Sequence, residues 1–211
     1  MKLKKGETFV AFGDSITDCG RRGIEAPLGN GYVRIFRDLL MGTCPDLDAR
    51  IVNKGVGGNT VPDLRNRFDD DVLPWKPEWM SILVGINDVH QAVNDLANDG
   101  KGTPDAFEKE YRALLSRIKE TLECRVILME PFYLSTAPGD WRGLVLKQLE
   151  AYRAAVRGLS DEFDAIFIPL HEVFQRHLSY RQADTFCMEP VHPNATGHVI
   201  IARELYEAMR E

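Results

Sequence analysis

Short apolar runs alternate five times with longer amphipathic stretches, and this constrains the fold more than any other feature of the chain. The runs are Thr8-Phe9-Val10-Ala11-Phe12, Arg50-Ile51-Val52, Met80-Ser81-Ile82-Leu83-Val84, Val126-Ile127-Leu128-Met129 and Ala165-Ile166-Phe167-Ile168. They are nearly continuous in apolar character rather than alternating, as strands buried on both faces are. Between them lie residues 31–41, with Tyr32, Ile35, Phe36, Leu39 and Leu40 at helical spacing, and a stretch from Thr60 to before Pro74. A third begins at Thr103 as cap with Pro104 in the first turn and runs to about Glu123, and a fourth covers 140–158. Asn194 is placed to cap a last helix through Met209. The pattern predicts a three-layer, doubly wound α/β sandwich with a central five-stranded parallel sheet in flavodoxin-like order. At 211 residues and 44% hydrophobic composition, with no linker, a single domain over 1–211 is expected.

In such a sheet ligands bind beyond the carboxyl ends of the strands, near the switch point in strand order. That brings Gly13-Asp14-Ser15, Gly57-Gly58-Asn59 and Gly85-Ile86-Asn87-Asp88 to one crevice. Ser15 offers a hydroxyl, Gly58 a backbone N–H with no side chain in the way, and Asn87 an amide donor. The amides of Ser15 and Gly58 and the side chain of Asn87 make three donors for the oxyanion of an acyl-transfer intermediate. A serine hydroxyl needs a base, and the base an orienting carboxylate. Glu189-Pro190-Val191-His192 supplies both from one turn before the last helix, with His192 as base and Glu189 as acid; Asp184 is the competing acid. Asp14 reads as structural, bracing the loop that presents Ser15.

Four segments, Phe12-Gly13-Asp14-Ser15-Ile16-Thr17-Asp18, Asn53-Lys54-Gly55-Val56-Gly57-Gly58-Asn59-Thr60, Gly85-Ile86-Asn87-Asp88 and Val191-His192-Pro193, together resemble the four blocks of the SGNH (GDSL) hydrolase superfamily, in its order and spacing over nearly the whole chain. The resemblance implies Ser15 as nucleophile, Gly58 and Asn87 completing the oxyanion hole, and His192 as base. The first two blocks further resemble the bacterial branch of acetylxylan and related carbohydrate esterases. This implies a carboxylester hydrolase working through an acyl-serine, with an acetylated sugar as substrate and no metal or organic cofactor. The chain departs from the family in carrying Glu189 where aspartate is usual. It also has Met188 where some carbohydrate-active relatives have tryptophan.

Other readings are weaker on the same residues. A lysophospholipase or thioesterase of the family would call for a long apolar lid, and none is evident. A flavodoxin-like binding module would use the glycines for phosphate, but no phosphate loop or spaced GxGxxG is present. A non-catalytic carbohydrate-binding descendant is the third alternative. The net charge of −6 gives no general attraction to nucleic acid or anionic membrane. Scattered cysteines (Cys19, Cys44, Cys124, Cys187) and the lack of a signal or spanning segment give a cytoplasmic expectation. The oligomeric state is open. His90, His171, His177 and His198 lack metal-ligand spacing, and Asp69-Asp70-Asp71 reads as a solvated helix end. Trp75 and Trp79 are expected at the base of the third strand. Tyr133 and Trp141 follow the fourth strand on the active side and are candidates to line the pocket.

Overall fold

A computed structural model describes residues 1–94, 102–137 and 139–210. Its five strands are β1 (Thr8–Gly13), β2 (Arg50–Gly55), β3 (Trp79–Leu83), β4 (Arg125–Met129) and β5 (Ile166–Ile168). They form one parallel sheet in the order β2-β1-β3-β4-β5. This is the expected order, with the switch point at β1. All five residues of β3 are buried, as a central strand covered on both faces requires.

The helices are α1 (Ser15–Asp18), α2 (Tyr32–Thr43), α3 (Val61–Asp71), α4 (Ile86–Asn94), α5 (Pro104–Thr121), α6 (Trp141–Glu162), α7 (Leu170–Leu178) and α8 (Ala195–Arg210). The strand order reverses at β1, and because parallel crossovers are almost always right-handed, connections on its two sides place helices on opposite faces. On one face α2 packs against α8; on the other α3, α5 and α6 pack in succession. The apolar stripe of α2 buries Tyr32, Val33, Phe36 and Leu40, and Phe36 meets Phe9 of β1 with ring centroids 5.0 Å apart. Each such ring removed from water contributes about 1.5–3 kcal/mol. Thr103 caps α5 by accepting from the Ala106 amide, and Asn194 Oδ1 accepts from the Thr196 and Gly197 amides at the start of α8.

Several boundaries differ from the sequence reading. Helix α6 runs on to Glu162, because Val156 and Leu159 continue its buried stripe. Helices α1, α4 and α7 were not anticipated. Trp79 opens β3 and is buried under the Arg125 guanidinium, whereas Trp75 is partly exposed beneath the Lys54 amine. The Asp69–Asp71 run is not uniformly solvated. Asp71 turns inward to Arg67 and Lys54, and Asp69 pairs with Arg117.

The strand register positions the site. Gly13 lies level with Gly55 on one side and with Leu83 on the other, so β1, β2 and β3 end together. Asn53 secures this rim: its Nδ2 donates to the Thr17 and Leu28 carbonyls, and its Oδ1 accepts from the Gly55 amide. The backbone of α1 lies so close over Gly55 that a Cβ there would come within 2.1 Å of the Asp18 nitrogen, so β2 must end in glycine.

Candidate active site

Beyond Gly13 the chain turns directly into α1. Asp14 caps that helix, with Oδ1 accepting from the Ile16 amide at 3.0 Å. This is the bracing role expected of it. The carboxyl is buried, and burial pushes its pKa up to about 7. Ser15 is the first residue of α1, so its amide has no carbonyl one turn back to bond. Its Oγ lies 2.8 Å from His192 Nε2, across 177 residues of sequence.

His192 is held from behind by Glu189. Glutamate Oε1 accepts from both the His192 amide, at 2.9 Å, and His192 Nδ1, and Oε2 accepts from the Val191 amide at 3.0 Å. Burial alone would raise the Glu189 carboxyl, but the Val191 amide and His192 override it and hold the pKa below the ordinary value. An ionised carboxylate only accepts, so the ring proton resides on Nδ1 and Nε2 faces Ser15 Oγ with its lone pair. The extra methylene of glutamate is accommodated by folding the side chain back over its own turn. Asp184, the alternative acid, is exposed in a separate 3₁₀ turn, and its carboxylate makes no hydrogen bond to His192. The pair is open to solvent, with His192 54% and Glu189 48% exposed in their side chains.

The loop after β2 comes up beside the serine; a Cβ on Gly57 would sit 3.8 Å from Ser15 Cβ. Gly58 has φ +80°, in the left-handed region that favours glycine. Nothing lies within 4 Å of where its Cβ would be, so backbone conformation rather than close approach demands glycine there. The Gly58 amide has no protein acceptor among the described residues. Asn87, in the first turn of α4, donates one Nδ2 hydrogen to the Asn59 carbonyl at 2.9 Å, which leaves its second hydrogen available. The structure thus brings together all five residues singled out by sequence: Ser15, Gly58, Asn87, Glu189 and His192.

Three residues on from Asn87, His90 was given no role from sequence. Its ring makes an edge contact with Tyr133 at 6.0 Å and a tilted one with Trp141 at 6.2 Å, and it lies within the field of Glu189 and His192. Burial lowers its pKa. Tyr133 is buried and Trp141 is 41% exposed, so Trp141 supplies the accessible face of this aromatic group. A hollow of about 350 Å³ adjoins the serine, lined by Ser15, Asp18, Cys19, Arg22 and Gly57 among others. A second, of about 310 Å³, is lined by Arg142, Met188 and Glu189 among others. A hollow of about 380 Å³ at Cys124, Arg125 and Ile166 lies at the opposite, amino-terminal end of the strands. The remaining histidines are structural. His198 is buried, accepts from the Tyr32 amide at Nδ1 and meets Cys19 Sγ at 3.2 Å; His171 accepts from the Tyr133 amide. Among the described residues no group of three or more His, Cys, Asp or Glu is arranged to hold a metal ion.

Comparison with known proteins agrees with this geometry. Residues 11–200 match the GDSL-like Lipase/Acylhydrolase family. An acetylxylan esterase of Geobacillus stearothermophilus is 35% identical over 209 residues, covering 96% of this chain and 94% of that protein. A crystal structure of a catalytic mutant of that esterase superposes with a TM-score of 0.89, covering 99% of this chain and 96% of the other. The matched structures include its catalytic mutants at a serine, an aspartate and a histidine, the last two three residues apart, as Glu189 and His192 are here. Another carries an isoleucine in place of the tryptophan directly before that aspartate. Fold, site and relatives converge: the chain belongs to the GDSL-like lipase/acylhydrolase family and is a carboxylic ester hydrolase.

Proposed function

We propose that the chain deacetylates a carbohydrate ester through an acyl-serine intermediate. The observation that carries the mechanism is Ser15 Oγ at 2.8 Å from an imidazole nitrogen whose partner nitrogen is bound to Glu189. In the proposed reaction His192 Nε2 takes the Ser15 proton as Oγ attacks the ester carbonyl carbon. The carbonyl oxygen becomes an oxyanion among the amides of Ser15 and Gly58 and the free hydrogen of Asn87 Nδ2. Glu189 stabilises the imidazolium that forms. Collapse breaks the bond to the alcohol oxygen, which receives the proton from His192. Water then attacks the acyl-Ser15 with His192 again as base, releasing the acid and restoring the serine.

The acetyl-sugar reading is supported by the acetylxylan esterase relative and by the open hollow beside Ser15, whose lining includes Asp18 and Arg22. Met188, 89% exposed, replaces the tryptophan of that relative, so Trp141 is the aromatic surface here best placed for a sugar ring. The test is a chain-length series of p-nitrophenyl esters run beside acetylated xylo-oligosaccharides, with Ser15→Ala as control. Preference for acetyl groups on sugars is the expected result. Preference for long acyl chains would overturn the substrate, and hydrolysis by Ser15→Ala would overturn the mechanism.

A further inference from the structure

Arg67, on α3, is not part of the constellation above, yet its guanidinium bonds both to the strand end that presents Ser15 and to the loop that carries Gly58. The side chain is 17% exposed and lies over the Phe12 ring at 4.4 Å. Nη2 donates to the Gly13 carbonyl at 2.9 Å, two residues before Ser15. Nη1 donates to the Lys54 carbonyl at 2.9 Å, at the end of β2, and to Asp71 Oδ2 at 2.6 Å. Nε donates to Asn59 Oδ1 at 2.6 Å. Four of its five N–H groups are thereby used in a planar fork. Asn59 follows Gly58 directly, and its own carbonyl receives the Nδ2 hydrogen of Asn87. One guanidinium therefore links the strand end that presents the serine, both flanks of the Gly58 loop and, through Asn59, the amide of Asn87.

We propose that Arg67 is the positioning residue of the oxyanion pole: it fixes the separation of Ser15 from the Gly58 and Asn87 donors without itself touching the substrate. The inference rests on the acyl-serine reading. Two observations separate it from a general stabilising role. Two of the four bonds end within two residues of the nucleophile or a donor, on Gly13 and Asn59, and a third ends on the Lys54 carbonyl at the end of β2, where the Gly58 loop begins. The fourth ends on Asp71, which also binds the Lys54 amine at 3.2 Å and so fixes the orientation of the guanidinium. Lysine at this position would retain the charge but offers a single point rather than a fork.

The test uses the full chain and its Arg67→Lys variant. Each is titrated to completion with a fluorophosphonate, so that turnover is expressed per reactive serine and unfolded molecules are not counted. The expected result is a kcat per titrated site reduced about tenfold to a hundredfold, since small misplacements of reacting groups carry losses of that size. KM should stay within about threefold, as for an interaction realised in the transition state. Combined with Asn87→Ala, the two losses should fall short of multiplying in full, because Asn87 is one of the two donors that Arg67 positions. Should Arg67→Lys fail to fold, Asn59→Ala removes the Nε bond alone and is expected to give a smaller loss of the same kind. A kcat per site within about twofold of wild type in the variant that folds, or losses with Asn87→Ala that multiply in full, would overturn the proposal. Failure of the probe to label Ser15 would instead bring down the acyl-serine reading.

Discussion

Glu189 grips His192 at two points with one oxygen, accepting from its backbone amide and from its ring nitrogen, while the other oxygen accepts from Val191. Glu189→Gln keeps the shape but loses the charge and sets an NH₂ group against at least one N–H. We expect kcat to fall by about 10²–10⁴ with little change in KM, in line with triad-acid substitutions elsewhere. Asp184→Asn should leave kcat within about twofold, because surface substitutions away from the site usually have small effects. Parallel kcat measurements on p-nitrophenyl acetate decide the matter, and a larger loss in Asp184→Asn would reverse the assignment.

Asn87→Ala removes one donor of the proposed oxyanion hole, which typically lowers kcat about 10²–10³. Its Nδ2 also ties α4 to the Asn59 carbonyl, a half-buried contact whose loss should cost only about 0.5–1.5 kcal/mol. Turnover should therefore fall far more than the melting temperature. Unchanged turnover would remove Asn87 from the mechanism.

Gly58→Ala isolates a backbone effect. The site has room for the methyl group, but φ +80° does not suit alanine. We expect destabilisation of roughly 1–2 kcal/mol in urea unfolding, together with lower kcat as the amide is displaced. A much larger stability loss would point to a clash that the geometry lacks.

Asp88 gives a pH signature. One of its oxygens accepts from the Val61 amide; the other is buried without a partner. Burial, reinforced by the negative field of Asp14, raises its pKa from 3.8 to about 7. The folded state then binds more protons than the unfolded state between these values, so stability falls as pH rises through this window and levels off above it. His198 and His171, lowered by burial to about 4, slope the opposite way in the same range. The clean readout is therefore the melting-temperature difference between Asp88→Asn and wild type. It should grow from pH 4 to 7 and stay level beyond; a flat difference would mean that Asp88 remains ionised throughout.

The strands and their order were legible because buried parallel strands write themselves as continuous apolar runs. Glu189 and His192 were legible because their contact is local. Ser15 and His192, far apart in sequence, were joined through the rule that ligands gather beyond strand ends and through the four-block resemblance. Helix α7 was missed because Pro169 precedes it and no side chain caps it. Helix α4 was missed because it starts within the Gly85-Ile86-Asn87-Asp88 segment, which reads as a loop. Arg67 had no sequence signal beyond its place on α3 between the buried Leu64 and Phe68. Its partners are mostly backbone carbonyls and a side-chain amide of other segments, and such bonds leave no trace in residue type.

The level ending of β1, β2 and β3 at Gly13, Gly55 and Leu83 has a consequence for how activity reports on folding. A parallel ladder slips only by whole residues, about 3.3 Å at a time, and each slip turns every side chain to the opposite face. The alignment of the Ser15 loop with the donor loops is therefore quantised. A molecule with a shifted strand would be silent rather than sluggish, so specific activity in this protein counts correctly registered sheets.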